Sequence, residues 1–221
     1  MTRGARGGWS AVLFDLDGTL ADTVELILRC FRHTLEVHRG EVPPDEAWLS
    51  GIGTPLRDQL RAFTDDPAEV ERMAVTYRDF QGSIHDENVA PYDGAVAMVT
   101  ELGARGVPVA VVTSKSRGMA ERTLARCGFG GLYQVLVGAD DVTRGKPHPE
   151  PVFLALDRLG LSAGDGPVLF LGDSPFDLRA GRAAGVRTAA ALWGPFPRGV
   201  LEAEAPDFFL DEPRGLLELT P

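Results

Sequence analysis

Cysteine is nearly missing from this 221-residue chain, and its only two thiols are Cys30 and Cys127. They have no metal-like spacing, so they are expected to be reduced residues of a cytoplasmic protein. No apolar run approaches membrane-spanning length, which excludes a transmembrane helix. The opening "MTRGARGGWS" is basic like a signal peptide, but the apolar stretch behind it is short and meets Asp15 at once. Secretion is therefore not expected, and the Arg-rich start reads as a disordered end. Positive charge is also scarce: 22 Lys and Arg face 32 Asp and Glu, for a net charge of −10. That balance argues against a nucleic-acid or anionic-membrane binder, which would need a basic face. An anionic substrate would need positive charge concentrated locally. There is no internal repeat and no low-complexity tract.

What the chain does have is a change of pattern in its middle. From about Asp22 to Ala90 it reads as all helix. "DTVELILRCFRHTLEVHRG" puts Val24, Ile27, Leu28, Phe31 and Leu35 at helical spacing, with Asp22 and Glu25 as a start signal and Gly40 as a stop. A short helix follows near Pro44 to Leu49. Thr54-Pro55 opens another carrying Leu56, Leu60 and Phe63. Pro67 opens one with Val70, Met73, Ala74, Tyr77 and Phe80 on one face. After Ala90, helices alternate with the runs "VPVAVVT", "QVLVGAD", "PVLFLGD" and "TAAALW". With "SAVLFD" these make five strands, and "FFL" near Phe208 is a candidate sixth. Their continuous apolar character is that of parallel strands covered on both faces. The expected fold is α/β: a doubly wound parallel sheet, residues 1–21 and 91–221, with a helical domain inserted at 22–90.

In such sheets ligands bind beyond the carboxyl ends of the strands. Polar residues gather at four of these ends: Asp15 and Asp17, Thr113 and Ser114, Asp140 and Asp141, and Asp173 and Ser174. In "VLFDLDGTL" two carboxylates stand two residues apart before Gly18 and Thr19. Close like charges repel and call for a cation or a shared proton. A magnesium ion with oxygen ligands would serve, leaving one carboxylate to attack an electrophile while the other moves a proton. In "FLGDSPFDLRAG", Ser174 and Pro175 start a helix. Asp177 falls in its first turn, where it either complements the helix dipole or supports Asp173. Lys146, in "RGKPHPEPV", is either a solvated lysine or the fixed cation that a metal-carboxylate-phosphate site requires. Thr113 and Ser114 either cap a helix or hold phosphate oxygens.

The segments "FDLDGTL", "VVTSKS", "GKPHPEPV" and "GDSPFDLRAG", in this order from Val12 to Leu192, resemble the motifs of the haloacid dehalogenase superfamily of phosphotransferases. Within it the chain is similar to the phosphoglycolate phosphatase-like group, whose cap domain corresponds to the helical insert. The resemblance implies that Asp15 takes the phosphoryl group as an aspartyl-phosphate. It implies that Asp17 protonates the leaving oxygen and then activates water. Thr113 and the Ser114 backbone, with Gly18 of the first motif, would bind the phosphate, and Lys146 would neutralise nucleophile and phosphate. Mg²⁺ would be bound by Asp15, the Asp17 carbonyl and Asp173, with Asp177 helping directly or through water. The physics agrees, since two anions react only when their repulsion is offset. Dehalogenase members lack an acid at the position of Asp17, so carbon–halogen cleavage is disfavoured.

The cap stretch "SGIGTPLRDQL" has Gly51 and Gly53 in a turn and Arg57 in the helix behind it. Arg57 either contacts the substrate beyond its phosphate or lies on a plain helix connection. The four histidines, His33, His38, His85 and His148, show no ligand spacing and read as surface or loop residues. Trp9, Trp48 and Trp193 read as packing residues. The leading expectation is a Mg²⁺-dependent phosphatase acting on a small phosphorylated metabolite such as 2-phosphoglycolate. A phosphomutase or pyrophosphatase on the same scaffold is the alternative, and a receiver-like phosphate-binding module is a third reading.

Overall fold

In a computed structural model, which describes residues 8–162 and 164–221, the chain enters through β1 (Ala11–Phe14), four apolar residues with no solvent exposure. The Arg-rich start expected to be disordered falls largely on residues 1–7, outside the described residues. Next come β2 (Ala21–Asp22) and four helices: α1 (Val24–Arg39), α2 (Glu46–Leu49), α3 (Leu56–Leu60) and α4 (Pro67–Ile84). Then β3 (Ala90–Pro91) returns the chain to α5 (Ala95–Ala104) and β4 (Val109–Val112). The remainder alternates: α6 (Arg117–Arg126), β5 (Val135–Val137), α7 (Glu150–Arg158), β6 (Val168–Gly172), α8 (Pro175–Ala183), β7 (Arg187–Ala191), α9 (Arg198–Glu202) and β8 (Phe208–Leu210).

Six strands form one parallel sheet in the order β5-β4-β1-β6-β7-β8. The order reverses at β1, where crossovers leave in both directions. This is the switch point at which open α/β sheets bind ligands. Helices cover both faces, so β1, β4, β5 and β6 are buried at every residue. Such strands have no polar face to expose and read as continuous apolar runs. The segment after Trp193 is part of this architecture: β8 extends the sheet beside β7, and the last turn, Pro213–Glu218, packs on α5.

The stretch expected to be helical throughout has one exception at its ends. Ala21 and Asp22 pair antiparallel with Pro91 and Ala90. Asp22 therefore belongs to a two-stranded ribbon and not to the start of α1, which begins at Val24. The adjoining Thr23 hydroxyl donates to Asp17 instead of capping the helix. Within the insert, α1 packs on α4, and Phe31, Trp48 and Tyr77 stack in a row, with Phe31 and Trp48 centroids 4.2 Å apart. Trp48 and Trp9 are buried packing residues as expected.

His85 departs from its expected place. It has no solvent exposure. Its Nε2 lies 2.8 Å from Thr123 Oγ1 of α6 and its Nδ1 2.7 Å from Asp86, so it joins the end of α4 to the sheet-flanking helices. A histidine with a partner for each ring nitrogen can be buried without penalty, and only the fold supplies those partners.

Candidate active site

Four loops at the carboxyl edge of the sheet meet around Asp15, which follows β1 directly. Its carboxylate is 3% exposed and accepts from Lys146 Nζ at 2.7 Å. Lys146 comes from the loop before α7 and is 2% exposed, so the solvated-lysine reading is set aside. The same ammonium donates to Asp177 Oδ1 at 2.5 Å. Asp177 is fixed by a capping box at the start of α8. Its Oδ2 accepts from the Ser174 amide and hydroxyl, while its own amide donates back to Ser174 Oγ. Asp173, at the end of β6, accepts from Thr19 Oγ1 at 2.7 Å through Oδ1. Its Oδ2 is buried and has no hydrogen-bond partner among the described residues.

Gly18 explains itself in this geometry. It has φ +86°, and a Cβ there would stand 2.4 Å from Asp173 Oδ2. A side chain would be strained and would also displace the carboxylate. Trp193 contributes too, since its Nε1 donates to the Thr19 carbonyl and so braces the residue that holds Asp173.

The cluster is short of positive charge. Asp15, Asp173 and Asp177 each offer an oxygen within 4.8 Å of the others, and one ammonium, that of Lys146, serves them. Burial and the Asp177 charge push the Asp15 carboxyl up to about 7 against the pull of Lys146. Burial and the charges of Asp15 and Asp177 raise Asp173 well above the usual carboxylate range. Burial opposes the charge on Lys146, but the two carboxylates outweigh it and hold the ammonium above its ordinary value. An unpartnered buried carboxylate oxygen and an excess of hard oxygen donors suit a small divalent cation such as Mg²⁺. The donor set fits the ion.

Above this floor lies a cavity of about 220 Å³, lined from below by Asp15, Asp17, Thr113, Ser114 and Lys146 and from above by the helical insert. Asp17 accepts from Thr23 Oγ1 at 2.6 Å and pairs with Lys115 Nζ at 2.7 Å. Thr113 is buried, and its Oγ1 accepts from the Lys115 amide. The Ser114 hydroxyl donates to the Gly53 carbonyl at 2.6 Å, so it holds the Gly53 loop of the insert. That loop is seated closely. Gly53 has φ +103°, and a Cβ there would be 2.7 Å from Ser174 Oγ. Arg57 lines the cavity, but Glu71 takes its guanidinium through two hydrogen bonds.

The third acidic strand end reaches the cavity through Asp140, but its carboxylates are engaged locally. Asp141 pairs with Arg117 and Arg158 and accepts from the Gly138 amide, while Asp140 accepts from the Arg117 amide. Both brace the turn after β5. The residues that sequence reasoning passed over are Thr19, Thr23, Lys115 and Gln81. Lys115 had a visible signal: of the 22 basic residues only two are lysines, and both lie in this site.

A family model described as haloacid dehalogenase-like hydrolase matches residues 12–191. The pyrophosphatase PpaX of Bacillus cereus is 40% identical over 210 residues, 95% of each chain. Among solved structures, a predicted phosphoglycolate phosphatase of Haemophilus somnus superposes with a TM-score of 0.85 at 22% identity, over 95% of this chain and 97% of that one. A haloacid dehalogenase-like family hydrolase of Streptococcus pneumoniae does so with a TM-score of 0.83 at 21% identity, over 95% and 97%. At those identities the two structures speak for the fold, and the sequence matches speak for the family. This chain belongs to the haloacid dehalogenase-like hydrolases.

Proposed function

We propose that the chain is a Mg²⁺-dependent phosphatase that takes a phosphoryl group onto Asp15 and passes it to water. The observation that carries the reading is the buried Asp15 carboxylate, 2.7 Å from Lys146 Nζ on the floor of the cavity. An Asp15 oxygen forms the new bond to phosphorus as the bond to the leaving oxygen breaks, and Asp17 gives that oxygen its proton. Asp17 then takes a proton from the water that cleaves the acyl phosphate, which returns both carboxylates to their starting forms. Thr113 and Lys146 hold the phosphoryl oxygens. Asp15, Asp173 and the Asp17 carbonyl would hold Mg²⁺, with Asp177 behind them. Bound there, the ion would offset the charge of carboxylate and phosphate.

Residues 22–90 act as a cap that closes the cavity through the Gly53 loop. The two free, buried thiols, Cys30 and Cys127, support a reducing, cytoplasmic setting. Among the described residues no helix is long and apolar enough to cross a membrane.

The substrate is a compact phosphate compound. The cavity, about 220 Å³, is smaller than the roughly 300–1,000 Å³ of pockets for drug-sized ligands. Relatives named pyrophosphatase PpaX make inorganic pyrophosphate the first candidate, ahead of 2-phosphoglycolate. The test is phosphate release from pyrophosphate, 2-phosphoglycolate and glucose 1-phosphate with Mg²⁺, with EDTA and with Asp15→Asn. Release that requires Mg²⁺ and falls by roughly 10⁴-fold or more in the variant is expected. Turnover that survives in Asp15→Asn would remove Asp15 as the acceptor.

A further inference from the structure

The two lysines of the chain face different carboxylates. Lys146 Nζ lies between Asp15 and Asp177, whereas Lys115 Nζ pairs with Asp17. In the chemistry proposed above, the transferred phosphoryl group sits over Asp15 and the leaving oxygen departs beside Asp17. Lys115 thus stands on the leaving-group side. An ammonium has three N–H donors, and Asp17 is its one ion-pair partner among the described residues, so donors remain for a ligand.

The opposite wall of the cavity comes from α4, which brings Tyr77, Arg78 and Gln81 to it. Tyr77 and Gln81 are one helical turn apart, and each is 6% exposed. The Tyr77 hydroxyl and the Gln81 amide make no hydrogen bond to any described residue, although both side chains border the cavity. Neither group is among the fully buried unpaired polar atoms, so both open onto the cavity, where a polar ligand can reach them. Arg78 has no carboxylate at ion-pair distance among the described residues, in contrast to Arg57, whose charge Glu71 takes.

We propose that Lys115, Tyr77, Arg78 and Gln81 form a subsite for an anionic leaving group, the second phosphate of a compact diphosphate. This deepens the phosphatase reading and rests on Asp15 as acceptor. In the cleavage of pyrophosphate, the bond between phosphorus and the bridging oxygen breaks and the electron pair stays on that oxygen. Asp17 protonates it, and orthophosphate departs from the subsite. An ester whose leaving group carries no phosphate would leave the subsite's donors unpaired, so discrimination is built into the cavity.

The experiment compares kcat/KM for pyrophosphate and for p-nitrophenyl phosphate in the wild-type protein, Arg78→Leu and Gln81→Met, each checked for folding by circular dichroism. Loss of a hydrogen bond to a charged group lowers kcat/KM for pyrophosphate by roughly 10–100-fold, so the preference over p-nitrophenyl phosphate should shrink by about that factor. Equal losses on both substrates, or none, would overturn the subsite and leave the phosphatase reading intact. Calorimetric binding of imidodiphosphate and of orthophosphate to Asp15→Asn protein, with and without Gln81→Met, gives a second readout free of turnover. A loss confined to imidodiphosphate supports the subsite, and any other pattern overturns it. Failure of the nucleophile reading would appear separately, as turnover by Asp15→Asn alone.

Discussion

Replacing Asp173 by asparagine should make the metal-free protein more stable and the Mg²⁺-bound protein less so. Asparagine is the same size and its Oδ1 still accepts from Thr19, so the packing between Gly18 and Gly194 is retained. What changes is charge. Two unit charges 4.8 Å apart repel by roughly 3 kcal/mol at an effective dielectric of about 20. Asp173 is raised well above the usual carboxylate range and so carries less than a full charge, which places the gain in EDTA at about 1–3 kcal/mol. For the wild-type protein the sign reverses with metal. A ligand at about 100 times its Kd stabilises by about 2.7 kcal/mol, and each kcal/mol moves Tm by about 2–4 °C at this chain length. Mg²⁺ should therefore raise the wild-type Tm by roughly 5–10 °C and that of Asp173→Asn by much less. Thermal unfolding followed by circular dichroism in EDTA and across a Mg²⁺ series reads both effects. A variant less stable than wild type in EDTA, or one with an undiminished Mg²⁺ response, would refute the charge argument.

Other consequences can be checked singly. Arg57→Ala should raise KM for an anionic substrate more than it lowers kcat, but by less than Arg78→Leu, because Glu71 already takes the guanidinium. Steady-state kinetics on pyrophosphate decides, and an unchanged KM takes Arg57 out of the site. Gly53→Ala adds a Cβ 2.7 Å from Ser174 Oγ at φ +103°, a strain of about 1–3 kcal/mol. It should lower Tm and raise KM together, and loss of neither would mean that the loop is not seated on Ser174. His85 sits below its ordinary pKa of 6.5, chiefly through burial, with Lys115 and Arg122 adding to the effect. The unfolded chain then binds the proton first, so stability present above about 6.5 is lost as pH falls toward the lowered value. Urea unfolding at pH 7.5 and 5.5 should show that loss in wild type and a smaller one in His85→Gln; equal losses would acquit His85.

The sequence alone determined whatever depends on neighbours along the chain. Apolar runs ending in Asp15 and Asp173 give buried strands with acids at their carboxyl ends, because a strand covered on both faces leaves nowhere else for a charge. Ser174, Pro175 and Asp177 encode a helix start that is realised as a capping box. The alternation after Ala90 encodes the parallel sheet. Its limits are equally local. Asp22 carries a helix-start signal, but its partner Ala90 lies across the whole insert, and long-range pairing outweighs a local preference. Asp141 resembles a site carboxylate at a strand end until the two arginines that neutralise it are seen. His85 offers no sign of burial, because Thr123, which makes burial tolerable, is brought to it by the fold.

Only the tertiary structure decided how charge is shared. Lys115 and Lys146 are 31 positions apart and equal as sequence, yet folding gives one to Asp17 and the other to Asp15 and Asp177. Arg57 and Arg78 both line the cavity, and Glu71 neutralises one of them. Coulomb interactions depend on distance in space and on burial, and neither is a property of a string of residues.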